Sequence, residues 1–140
     1  MNDSLDRERC RFAVLATVIA SLAFAAPAFA EDGVYVGTVT FGAVQATASQ
    51  GAMRGCPATG DMKITVTGTK IEYVSLSGDR RATGIVDGDG KFTASGTYAV
   101  GPSAANIVIT GRVDHTAVTG DYAANSRTGT CAGTIAAQRQ

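Results

Sequence analysis

The chain has no tryptophan, one histidine and three cysteines, and its twelve Lys and Arg are matched by twelve Asp and Glu. Each scarcity removes a class of function. A net charge of zero supplies no basic surface for nucleic-acid phosphates or an anionic membrane, so no nucleic-acid partner is expected. With one histidine, any imidazole acid–base or nucleophile–base mechanism must pass through His115, which sits in a turn beside Asp114. There is no Cys-x-x-Cys pair, so a tetrahedral metal site lacks ligands. No serine stands in a Gly-x-Ser-x-Gly setting. The residue types therefore argue for a protein that is not an enzyme, with no catalytic residues, metal or cofactor assigned.

Residues 1–30 read as a cleavable signal peptide. Arg7, Arg9 and Arg11 precede an uncharged run from Phe12 to Ala30, broken by Pro27 and ending in Ala28-Phe29-Ala30 before Glu31-Asp32. Small residues one and three positions before a polar start are what signal peptidase accepts. A retained anchor is the other reading, but the apolar stretch before Pro27 falls short of the about 20 residues that span a bilayer. Asp3, Asp6 and Glu8 offset the arginines. The protein is expected to be exported, to the periplasm or the extracellular space, and to keep no stable membrane anchor after cleavage.

What remains, residues 31–140, is enough for one domain with one core. All 17 glycines lie there, and many recur in one phrase: apolar, any residue, glycine, any residue, apolar. It occurs as Tyr35-x-Gly37-x-Val39, Ala82-x-Gly84-x-Val86, Ala94-x-Gly96-x-Tyr98, Ile109-x-Gly111-x-Val113, Val118-x-Gly120-x-Tyr122 and Cys131-x-Gly133-x-Ile135. Strand side chains alternate between faces, so each phrase puts its glycine and two apolar residues on one side. A core-face glycine packs nothing and costs backbone entropy, so its recurrence predicts strands that bend sharply or approach a neighbour closely.

Strands are predicted at 34–41, 62–67, 70–77, 82–87, 91–100, 106–113, 116–122 and 129–136, with Ala123 to Thr128 as a polar loop and Arg139 and the terminal glutamines frayed. Short turns such as Gly68-Thr69, Gly88-Asp89-Gly90 and Gly101-Pro102-Ser103 join consecutive strands, which makes them antiparallel neighbours. The expected fold is all-β: a single small antiparallel up-and-down β-barrel of about eight strands, with a two-sheet sandwich of the same meander as the alternative. The phrase glycines from 84 to 133 are spaced 12, 15, 9 and 13 apart, which is too irregular for a solenoid.

Cleavage would discard Cys10 and leave Cys56 and Cys131, which in an exported chain have one intramolecular pairing, a disulfide. In a closed meander, Cys131 opens the last strand and Cys56 shortly precedes the second. Both then fall at one end of the barrel, beside the closing seam.

Small barrels can hold one ligand in the interior or at a mouth. Gly33-Val34-Tyr35 resembles the Gly-x-Trp opening of lipocalin-like and avidin-like barrels, with Tyr where those have Trp; the likeness covers three residues and carries over no ligand and no site. Tyr35, Tyr98 and Tyr122 are the candidate ligand-facing residues for an unidentified small molecule. The alternative is a secreted or periplasmic inhibitor, or an envelope protein-interaction module. It would act through the long connection 42–61, where Met53, Arg54 and Pro57 stand near Cys56 as a candidate partner-facing loop. Arg80-Arg81 reads as a solvated turn. Asp87-Gly88-Asp89-Gly90 opens like a calcium loop but lacks the later carboxylates, and Asp-Gly is also hairpin-turn chemistry. Asp79, Asp87 and Asp89 are conceivable as a carboxylate cluster, though all lie at turns.

Overall fold

Alternation along each strand separates an apolar interior from an outer wall dominated by threonine. The computed structural model describes residues 31–42, 56–127 and 129–140. They form eight strands: β1 (Gly33–Phe41), β2 (Thr59–Thr67), β3 (Lys70–Ser75), β4 (Arg81–Val86), β5 (Lys91–Val100), β6 (Ser103–Val113), β7 (Ala117–Ser126) and β8 (Gly129–Arg139). Each pairs antiparallel with the next, and β8 pairs with β1 to close the barrel. Thus every strand has two partners and no sheet edge is left open. The sandwich alternative does not apply.

Tyr35, Met62, Ile64, Ile107, Ile109 and Tyr122 fill the interior, each at most 1% exposed. Thr65, Thr83, Thr93, Thr110, Thr119 and Thr134 face outward. A polar outside around an apolar inside is the reverse of a lipid-facing barrel wall.

The phrase glycines let the wall bend. At Gly37 a Cβ would stand 1.9 Å from the carbonyl oxygen of Ala136 on β8, and at Gly84 and Gly96 the same distance from the oxygens of Thr93 and Arg81. Gly111 and Gly120 pair directly across β6 and β7. The space a side chain would fill is occupied by the neighbouring backbone, which is the close approach predicted from the sequence.

Several strand ends differ from the sequence reading: β2 and β6 start three residues early, at Thr59 and Ser103, and β3 stops at Ser75. The expected loop over Ala123 to Thr128 is strand as far as Ser126, because Ala124 turns inward opposite Cys131 and Ser126 pairs with Gly129. Backbone pairing outweighs the polar composition there. Nor is the C-terminus frayed. Arg139 pairs with Tyr35, and the amides of Arg139 and Gln140 donate to the carbonyls of Thr116 and Val34 at 2.8 and 2.9 Å.

The barrel has two distinct ends. The terminal end carries the start of β1, the end of β8 and the turns after β2, β4 and β6. The disulfide end carries the end of β1, the start of β2 and the turns after β3, β5 and β7. There Cys56 and Cys131 are joined, with Cα atoms 5.7 Å apart, at the seam where the sequence reading puts them.

Candidate functional site

The disulfide end brings Arg80 among buried aromatic rings, and the β3–β4 turn places it there. Ser75 closes β3 with its amide donating to the carbonyl of Arg80 at 3.0 Å, and its hydroxyl donates to Oδ1 of Asp79 at 2.8 Å. The Ser77 hydroxyl donates to the same carboxylate oxygen, and the Arg80 amide donates to Oγ of Ser75 at 3.1 Å. These bonds, the Ser77 bond foremost, hold the Asp79 carboxyl below its ordinary range. The turn is thereby folded back on itself, and Arg80 is directed across the mouth.

Arg80 is consequently not the solvated turn residue expected from sequence. Its side chain is 24% exposed, and its guanidinium lies 4.9 Å over the ring of Tyr98. Asp79 stands 3.8 Å from its Nε, beyond hydrogen-bonding reach. Arg81, by contrast, is 68% exposed and meets Glu72 at 3.3 Å on the outer wall.

An aromatic group surrounds Arg80. Phe41 meets Tyr122 edge-on with centroids 5.3 Å apart, and Tyr73 lies 5.9 Å from Tyr122. Burial pushes the phenol of Tyr73 up to about 12, with the Arg80 charge pulling the other way. Burial raises Tyr122 further, helped by Tyr73 and Tyr98 and again opposed by Arg80. Among the described residues, the buried side-chain polar atoms without a hydrogen-bond partner are Nε of Arg80 and Oη of Tyr122.

Arg80 lines a cleft of about 270 Å³ with Phe41, Pro57, Asp61, Tyr73, Ser75, Leu76 and Ser77, and Tyr122 packs against two of these residues, Phe41 and Tyr73. Larger hollows of about 600 and 470 Å³ lie on the outer wall to either side of Ile85, between Thr83 and its neighbours. These are open furrows, and neither orphaned polar atom lines them. The mouth cleft is smaller but combines apolar surface with a largely buried guanidinium.

The structure divides the residues singled out from sequence between the two ends. Tyr98 and Tyr122 belong to the aromatic group at the mouth, whereas the Tyr35 hydroxyl donates to the carbonyl of Asp114 at 3.1 Å at the terminal end. Pro57 lines the cleft; Met53 and Arg54 lie outside the described residues. Asp79 and the pair Asp87 and Asp89 occupy turns at opposite ends, so these three carboxylates form no cluster. Oδ1 of Asp87 accepts the amides of Asp89 and Lys91, both at 2.9 Å, as hairpin-turn chemistry requires. His115 is exposed, and its Nδ1 lies 2.8 Å from Oε2 of Glu31. Sequence reasoning missed Tyr73, Phe41 and Arg80 as a group. The inward alternation of Ile71, Tyr73 and Ser75 was the available signal for the first of them.

Compared with protein-family models and with curated proteins, the chain matches none.

Proposed function

We propose that the protein is an exported, non-catalytic binding barrel that holds a small ligand at its disulfide-end mouth. The observation that carries this reading is the buried Nε of Arg80, without a hydrogen-bond partner, on a residue that lines the cleft beside Phe41, Pro57, Tyr73 and Leu76. Buried polar groups are almost always satisfied, and each orphan costs about 1 to 3 kcal/mol. A bound ligand group that accepts from Arg80 would remove that cost there. The interior is packed with side chains, so the ligand sits at the rim and not within the barrel. The Cys56–Cys131 disulfide supports an oxidising compartment and hence export.

Heteronuclear NMR titration with a set of single-ring fragments tests the site. Shifts are expected to concentrate on Phe41, Tyr73, Leu76 and Arg80; shifts confined to the Ile85 wall, or none, would overturn the reading. A second reading, a protein-interaction module, is favoured by the tethering of the connection 42–61 at this same rim through Cys56 and Pro57. Loss of a captured protein on Arg54→Ala, with fragment shifts absent, selects it.

A further inference from the structure

We infer that the group recognised at the mouth is a single carboxylate carried on a small ring or short apolar chain. The inference rests on the mouth-binding reading and narrows it to one ligand chemistry.

Both orphaned atoms are donors. A guanidinium has only donors, so the Nε–H of Arg80 needs an acceptor, and burial favours the neutral, donating form of the Tyr122 hydroxyl. A ligand cation or amine donor would leave Arg80 unsatisfied and meet its charge. A neutral carbonyl can satisfy it in part. A carboxylate offers two acceptor oxygens and the opposite charge, and its bonds to a guanidinium are roughly twice as strong as neutral ones. Asp79 pairs with Arg80 only as a charge and leaves its Nε–H free: Oδ1 accepts from the Ser75 and Ser77 hydroxyls, and Oδ2 stays 3.8 Å from Nε.

The walls limit the rest of the molecule. Phe41, Pro57, Tyr73 and Leu76 present apolar surface, and about 270 Å³ is below the size range of drug-like pockets, enough for one ring. Asp61 lines the rim and Asp79 stands beside Arg80, so a second anionic group at the outer end of the ligand would face carboxylates. Monocarboxylates are therefore selected over dicarboxylates.

Isothermal titration of the exported protein with benzoate, benzamide, benzylamine and terephthalate tests this. Benzoate is expected to bind best, with benzamide weaker by about tenfold, the effect of one lost charge-assisted bond, and terephthalate weaker because its second carboxylate meets Asp61 and Asp79. Arg80→Gln is expected to weaken benzoate about tenfold and benzamide by less, and Arg81→Gln to change neither. Arg80→Lys, which keeps the charge but loses the Nε–H, serves where Arg80→Gln disturbs the fold, and is expected to weaken benzoate to a smaller extent. Benzamide or benzylamine binding as tightly as benzoate, at a mouth mapped by NMR, overturns the carboxylate and leaves the site. Failure of all four probes to shift the mouth resonances overturns the site itself.

Discussion

Glu31 and Arg139 are 108 residues apart in sequence and 2.7 Å apart in space, and the same Glu31 oxygen meets Nδ1 of His115 at 2.8 Å. Nη2 of Arg139 also donates to the carbonyl of Asp32 at 2.8 Å, and Nη1 to the carbonyl of His115 at 3.2 Å. One guanidinium thus ties Glu31, Asp32 and the end of β8 to the β6–β7 turn, closing the terminal end as the disulfide closes the other.

The Arg139 hydrogen bond holds the Glu31 carboxyl below its ordinary range. A carboxyl with a depressed folded pKa stabilises fully above its unfolded value, near 4.5, and loses that contribution as pH falls through the folded value. The stability difference between wild type and Glu31→Gln is therefore expected to be present at neutral pH and to vanish below the ordinary carboxylate range. It should be small, because the pair is exposed and screened by salt. Urea unfolding of both proteins across acidic pH measures it; a difference that grows on acidification would contradict the assignment.

Substitution at Gly37 separates close approach from mere flexibility. A Cβ there would stand 1.9 Å from the oxygen of Ala136 and 2.5 Å from the Cα of Ala137, both backbone atoms that no rotamer change can move. Gly37→Ala is expected to destabilise by about 3 kcal/mol or to prevent folding. Gly88→Ala, where nothing lies within 4 Å, should stay within about 0.5 kcal/mol of wild type. Equal effects at the two positions, read by denaturant midpoint, would mean that the strands do not bend where the phrase recurs.

That recurring phrase made the barrel legible from sequence, because parity along a strand places Gly37, Gly84, Gly96, Gly111, Gly120 and Gly133 on the core face whatever the surroundings. The mouth was not legible. A turn arginine such as Arg80 is by default solvated, and its withdrawal depends on Ser75 and Ser77 occupying Asp79 and on Tyr98 arriving from β5. Arg139 misled for a related reason: a terminal residue frays unless held, and its holders Glu31, Asp32 and His115 are distant in sequence.

The disulfide should carry a large share of the stability. Cys56 and Cys131 are separated by 75 residues, and on the chain-entropy model a closure of this length contributes about 4 to 5 kcal/mol by restricting the unfolded chain. Reduction, or the double substitution of both cysteines by serine, is expected to lower the urea midpoint by a corresponding amount with little change in the native spectrum. A loss below about 1 kcal/mol would mean that the reduced unfolded chain already holds the two segments close.

Alkaline pH tests the aromatic group at the mouth through Tyr73. Its phenol is raised from 10.0 to about 12, chiefly by burial, so the folded state favours the neutral form. The sign follows directly: the contribution is fully present below the unfolded value of 10.0 and is lost as pH rises towards 12. A shift of this size corresponds to on the order of 2 to 3 kcal/mol. Wild type is expected to lose stability progressively across that window, while Tyr73→Phe, which cannot ionise, loses less. Spectrophotometric titration of the tyrosines together with unfolding curves at each pH measures both effects. If Tyr73→Phe and wild type decline in parallel, Tyr73 is not buried beside Tyr122, and the floor of the mouth is open to water.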